Sequence, residues 1–206
     1  NTSTAIDSGY KKDVYSSYAS SIYALMAAID AKDHYTFNHS QNVAYYATTL
    51  SALYGHNSDT IEIIREAALL HDIGKISIPE TILNKEDKLS NDEFRTMQQH
   101  VDNSIGIIKY LPSLDYVIPA VIGHHERFDG LGYPRKIAGE NIPITARILT
   151  VADSFDAMVS KRCYKQALSV ETALERLAEQ AGKQFDKKLV ELFIEGIKTE
   201  QIIPIL

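Results

Sequence analysis

A chain of 206 residues, 45% apolar and 23% charged, suits one globular domain with a substantial core and a short flanking piece. This balance excludes disorder, and the longest apolar runs, such as Val117 to Ile122 with Pro119 inside, are too short to span a bilayer. A net charge of −6 argues against a nucleic-acid polymer as partner, because such binding draws its affinity from neutralised phosphates, but it leaves a small anionic ligand open.

The first residues, Asn1-Thr-Ser-Thr, show no basic segment followed by an apolar run, so no secretory leader is expected. The lone cysteine, Cys163, excludes an internal disulfide and fits a reducing, cytoplasmic compartment. From Lys12 to Asp33 the apolar positions Val14, Tyr18, Ile22, Leu25, Met26 and Ile29 recur at steps of three and four, which predicts an amphipathic helix. Residues 1–32 are assigned to a lead-in and linker helix, and 33–206 to the main domain.

A second helix is predicted from Thr36 to Tyr54, stopped by Gly55, and a third from a Ser58-Asp59 cap into His71-Asp72. Residues from Ile76 to Leu89 read as a surface loop. Ser90 with Glu93 forms a capping box for a helix running through His100 to about Leu111. Another helix is expected from Leu114 to His125, kinked or started by Pro119, and Pro143 should sit at the first turn of a helix over 144–160. Ser169 and Asp186 are caps for two last helices, ending near Gly182 and Gly196. No alternating strand pattern appears, so the fold is expected to be all-α, a helical bundle with its site at the centre.

The chemistry concentrates in seven histidines and a few acids. In Ala67 to Lys75, A-A-L-L-H-D-I-G-K, an apolar helix face delivers His71 and Asp72 to its end, with Lys75 one turn beyond. Imidazole with carboxylate suits divalent transition metals, a carboxylate can bridge two ions, and a lysine can meet a phosphate oxygen. His39, His100 and the adjacent pair His124-His125 fall on other predicted helices. Asp153 sits among Ile148, Leu149, Val151, Ala152 and Phe155, where an unpaired carboxylate is costly and a cation would offset the cost. Together these donors exceed what one tetrahedral ion takes; two ions sharing Asp72 use them all. Two such ions hydrolyse phosphate esters without a Ser or Cys nucleophile, and neither a G-x-S-x-G elbow nor a phosphate-binding glycine loop is present.

H-D-I-G-K, H-H-E-R-F-D-G-L-G-Y-P, I-P-I-T-A-R-I-L-T-V-A-D-S-F-D-A-M and A-G-K-Q-F-D, in that order over about Asp33 to Phe193, resemble the HD-GYP subgroup of HD-superfamily metal-dependent phosphohydrolases. The resemblance implies an all-helical domain that hydrolyses cyclic di-GMP to pGpG, in some members on to GMP, through a metal-bridging hydroxide. It implies His39, His71, Asp72, His100, His124, His125 and Asp153 as ligands of two divalent ions, iron or manganese first, with nickel or zinc also permitted. Asp72 bridges in this scheme, with His39 and Asp153 on one ion and His100, His124 and His125 on the other. Lys75, Tyr133, Arg162 and Lys165 match positions that hold the nucleotide, Asp72 and Lys75 being the catalytic pair.

The chain also departs from the pattern. Tyr35 stands where three-metal members carry a glutamate, which implies two ions. Cys163 replaces a usual proline, and Lys85-Glu86-Asp87-Lys88 replaces K-P-G-K. Two other readings follow from the same residues. One is a weakly catalytic receptor for cyclic di-GMP, or a module binding a diguanylate cyclase partner through the Gly-Tyr-Pro loop. The other is a phosphohydrolase of other nucleotides, mixed cyclic dinucleotides included. An upstream receiver or sensor domain is the expected input.

Overall fold

The computed structural model describes residues 22–27, 29, 36–111, 114–161 and 166–205. The expectations for Tyr35, Arg162, Cys163 and Lys165 therefore lie outside the described residues. The order is α1 (Thr36–Tyr54), α2 (Ser58–Leu70), a 3-10 turn (Ile73–Ser77), α3 (Glu80–Leu83), α4 (Asn91–Gln98), α5 (His100–Ile108), a 3-10 turn (Asp115–Val117), α6 (Ile118–Gly123), a 3-10 turn (Gly139–Asn141), α7 (Ile144–Val159), α8 (Val170–Glu179) and α9 (Lys187–Lys198). Residues 22–27 are also helical. No strand occurs among the described residues, only an isolated bridge between Ala181 and Phe185, so the fold is all-α.

α1 is the axis of the bundle. Val43, Tyr46, Ala47 and Leu50, at helical steps, have no exposed surface, and Ala44 and Ser51 widen the buried face. Small residues let α2, α7 and α9 approach closely. The centre is an aromatic triad, one ring per helix: Tyr46 on α1 and Phe155 on α7 with centroids 5.1 Å apart, and Phe193 on α9 4.9 Å from Phe155. Each buried ring contributes about 1.5–3 kcal/mol through removal from water, and truncating Phe155 to alanine would cost about 3–5 kcal/mol. Ile22, Met26 and Ile29, three of the apolar positions read from the lead-in, are buried in this same core.

Local signals explain most boundaries. α1 ends at Tyr54, followed by Gly55 at φ +96, and Ser90 and Glu93 form the expected reciprocal capping box at α4. Pro119 lies in the first turn of α6, and the side chains of Ser169 and Asp186 accept from Thr172 N and Lys188 N.

Four expectations are corrected. The cap of α2 is Asn57, whose side chain accepts from Thr60 N, with Ser58-Asp59 already helical. The loop after Ile76 contains the single turn α3, preceded by a fully packed Ile78. The helix expected to run from Ser90 to Leu111 breaks at Gln99, where the backbone N–H turns to Thr96 and Met97 carbonyls and the His100 ring takes up the Met97 oxygen. α9 runs to Lys198, past Gly196, because the missing side chain there leaves room for Leu53 and Ile202. No described helix is long and apolar enough to cross a membrane.

Candidate metal centre

α2 buries Ile64, Ala67, Ala68, Leu69 and Leu70, which drives its C-terminal end into the middle of the molecule. The chain then leaves α-helical geometry, and His71-Asp72 turns into the 3-10 segment Ile73–Ser77. Ser104 on α5 fastens this turn from both sides: its hydroxyl donates to His71 O at 2.9 Å and accepts from Gly74 N at 2.8 Å. Gly74 is required by contact, since a Cβ there would lie 2.0 Å from His100 O and 2.4 Å from Ser104 N. The glycine of H-D-I-G-K thus lets the turn press onto α5.

The histidines share one arrangement. His71, His100 and His124 each donate from Nδ1 to the carbonyl three residues earlier, Ala68, Met97 and Val121, at 2.7, 2.7 and 2.5 Å. That bond fixes the tautomer and turns Nε2, with its lone pair, inward. The Nε2 atoms of His71, His100 and His124 are fully buried and have no hydrogen-bond partner. Three buried acceptors left unsatisfied around one centre are costly, and a cation is what three inward lone pairs fit.

One ligand atom each from Asp72, His100, His124 and His125 lies within 4.8 Å of the others, and the same holds for His39, His71 and Asp153. The two groups meet at Asp72. Its Oδ1 lies 3.4 Å from His100 Nε2 and its Oδ2 lies 3.4 Å from His71 Nε2, one oxygen toward each group. Lys75 Nζ contacts Oδ2 at 2.6 Å. Burial opposes ionisation of Asp72, but Lys75 and the rings of His71 and His100 hold its carboxyl well below the usual range.

The rings differ in charge. Burial keeps His100 and His124 below the ordinary imidazole range and pushes His125 down to about 3, so these three are neutral donors of lone pairs. Burial works against a charged His39 too, yet carboxylates on both nitrogens, Asp153 Oδ1 at 3.1 Å and Asp156 Oδ2 at 2.6 Å, raise it to about 9. Asp153, whose burial resists ionisation, is held well below the carboxylate range by His39, then His71 and His125.

The loop after the paired histidines closes one side. Glu126, 2% exposed, accepts from Arg135 N at 2.6 Å and Lys136 N at 3.1 Å, while Tyr133 N donates to His125 O at 3.2 Å. Gly132 lies flat on residues 125–127; a Cβ would sit 2.4 Å from Arg127 N. The Tyr133 ring stacks on His125 with centroids 4.8 Å apart and planes at 29°. Burial pushes the Tyr133 phenol up, so it is a neutral donor. A cavity of about 230 Å³ opens here, bordered by Phe94, His125, Leu131, Tyr133, Asp153 and Gln184.

The structure brings His39, His71, Asp72, His100, His124, His125 and Asp153 together, with Lys75 against Asp72 and Tyr133 beside His125. Lys75 stands on the 3-10 segment rather than continuing the face of α2. Two participants were missed. Asp156, one turn after Asp153 and fully buried, holds His39 from behind and is itself bound by Asn42 Nδ2 at 2.9 Å and Ser160 Oγ at 3.0 Å. Glu126 follows the paired histidines in H-H-E, and its hold on the loop amides comes from the fold. In both cases the signal was an acid at helical or adjacent spacing to an assigned ligand.

Comparison with known proteins fits this geometry. The HD-domain family matches residues 24–189. A 3′3′-cGAMP-specific phosphodiesterase 2 of Vibrio cholerae is 40% identical over 178 residues, covering 84% of this chain and 34% of that protein. The cyclic di-GMP phosphodiesterase response regulator RpfG of Xanthomonas campestris is 38% identical over 181 residues, covering 86% and 48%. This chain thus spans about a third to a half of the length of those relatives. A crystal structure of a cyclic GMP-AMP-specific phosphodiesterase of Vibrio cholerae superposes with TM-score 0.70 at 19% identity, over 88% of this chain and 49% of that one, a likeness of fold. With its His-Asp turn, paired histidines and Gly-Tyr-Pro loop on one helical frame, the chain belongs to the HD-domain family.

Proposed function

We propose that this chain hydrolyses a cyclic dinucleotide, cyclic di-GMP first, to its linear product with the help of two divalent ions. His39, His71 and Asp153 would hold one ion and His100, His124 and His125 the other, with Asp72 between them. The observation that carries the reading is the set of buried, unpartnered Nε2 atoms of His71, His100 and His124 around the two-sided Asp72 carboxylate. When bound, the ions would supply Lewis acidity for the phosphodiester and an activated water. Neutral imidazole and carboxylate suit iron or manganese, and also nickel or zinc.

The chain's own residues do the rest. Asp72 presents one oxygen to each group of rings and holds Lys75 in place, and the ammonium supplies positive charge where a phosphate oxygen would come. Tyr133, neutral and half-buried, can donate its hydroxyl to the nucleotide, while Glu126 holds the loop through the amides of Arg135 and Lys136. Arg162 and Lys165 are proposed as further nucleotide contacts. The packing of Ile22, Met26 and Ile29 in the core supports the segment before residue 33 as the route by which an upstream receiver or sensor domain would act.

Protein reconstituted with Mn or Fe(II) is expected to convert cyclic di-GMP to pGpG, with two ions per chain by elemental analysis. Tight binding without turnover would leave a receptor in place of an enzyme. The V. cholerae relative named for 3′3′-cGAMP supports testing that mixed dinucleotide alongside.

A further inference from the structure

The cavity beside the candidate metal centre has a neighbour that shares part of its wall. Ser154, next to Asp153 on α7, and Gln184 also line a second cavity of about 550 Å³, whose other walls are Ala157, Met158, Arg176, Glu179, Gln180 and Phe185. Small-molecule sites run to about 300–1,000 Å³; the cavity at the metals alone falls short of that range, and the two together fall within it. A cyclic dinucleotide carries two bases on one ring of two phosphates, so with one phosphate at the metal centre beside Lys75 a base falls to the side. Met158 stands five residues beyond Asp153, about 7.5 Å along the axis of α7.

The lining has a pattern. Ala173 and Leu177 bury the inner face of α8, and Arg176, Glu179 and Gln180, at steps of three and four, turn into the cavity. Arg65, Arg95, Arg127 and Arg147 are each ion-paired, three of them with an acid two or three residues away. Arg176 and Glu179 stand one turn apart in the same cavity, and no ion pair or side-chain hydrogen bond among the described residues joins them or occupies either.

We propose that this second cavity is a guanine subsite for the cyclic dinucleotide, a reading that rests on the proposed activity. Arg176 meets the O6 and N7 acceptors of the base, and Glu179 accepts from its N1–H and N2–H2 donors. Met158 and Phe185 supply the apolar floor against the ring. Adenine presents an N6 amine where guanine has O6, and an acceptor at N1 opposite the carboxylate, so the same pair rejects it.

The test uses Arg176→Ala and Glu179→Ala in the metal-loaded chain, both at exposed positions, with exposed Glu175→Ala as control. Each is expected to raise KM for cyclic di-GMP about tenfold, the discrimination typical of one paired base edge. The rate constant kcat and the turnover of bis(4-nitrophenyl) phosphate, which has no base, should stay as in the parent, as should every parameter of the control. Unchanged KM in both variants overturns the subsite and leaves the phosphodiesterase reading standing. A parent that cleaves the small diester but no cyclic dinucleotide overturns the substrate reading, and the subsite with it.

Discussion

Asp156 Oδ2 lies 2.6 Å from His39 Nδ1, across 117 residues of chain, and both side chains are buried. The carboxylate orients the imidazole so that Nε2 faces Asp153, which makes Asp156 a support behind the proposed ligand His39.

Asp156→Asn keeps an acceptor for the ring but removes the charge behind it. Metal affinity is expected to fall about 10–100-fold, as loss of such outer partners commonly does. Asp156→Ala should in addition cost about 1–3 kcal/mol of stability, because Asn42 and the His39 ring lose their buried partner. Competition with a chelator and denaturant unfolding measure the two effects separately. Equal affinity in the Asn variant and the parent would remove Asp156 from the site.

His39 sets a pH dependence in the metal-free protein. Its pKa is raised to about 9 from an ordinary value of 6.5, so the stability it contributes is full below about 6.5 and is lost as pH rises toward 9. The melting temperature of metal-free protein should decline across that window, and His39→Gln should flatten the decline. Binding an ion at His39 displaces its proton. Calorimetry in buffers of differing ionisation heat should therefore show proton release near neutral pH that fades above pH 9.

Asp72 is shared by both groups of rings, so its loss should be felt by both. Asp72→Ala is expected to lower bound metal toward zero and to reduce phosphodiesterase activity by at least about 10²-fold. His124→Ala should chiefly empty the group containing His100 and His125 and spare the other. Elemental analysis of the two purified variants decides; full metal content in the Asp72 variant would contradict the arrangement.

Glu126 separates a positioning role from a chemical one. Glu126→Gln retains an oxygen for the amides of Arg135 and Lys136 and should keep KM within about twofold of the parent. Glu126→Ala releases those amides, and KM is expected to rise roughly tenfold with about 1–3 kcal/mol lost in stability. Parallel loss in both variants would assign the residue to chemistry instead.

Gly74→Ala is the sharpest packing test. The added methyl would fall on the His100 carbonyl and Ser104 amide, both backbone atoms, so the turn must move. A loss of about 3 kcal/mol or more is expected on denaturant unfolding, together with weaker metal binding, because the same turn presents His71 and Asp72. Ser104→Ala, which removes only the two hydrogen bonds, should cost about 1–3 kcal/mol.

Much of the candidate site was legible from local pattern. His-Asp at the end of an apolar helix, two adjacent histidines before a glycine loop and an acid inside an apolar helix each break a hydrophobic period, and such breaks are visible in one dimension. Helix limits marked by capping chemistry, such as Tyr54 before Gly55 and the Ser90-Glu93 box, were legible for the same reason. The break at Gln99 was not, because the ring of His100 competes for a carbonyl that an uninterrupted helix would use. Nor was the role of Asp156, since its spacing from Asp153 suits an ordinary polar position on a helix.

By itself, then, the sequence determined the all-α class and pointed to the candidate donors and the chemistry they suit, because residue type and helical period are local properties. Tertiary structure alone decided that His71 falls with His39 and Asp153, which acid stands behind His39, and that Ser154 and Gln184 border a second cavity as well as the one at the candidate site. Those outcomes depend on how closely α1, α2, α5, α6 and α7 approach, and that is set by packed volumes and a few glycine contacts rather than by any spacing along the chain.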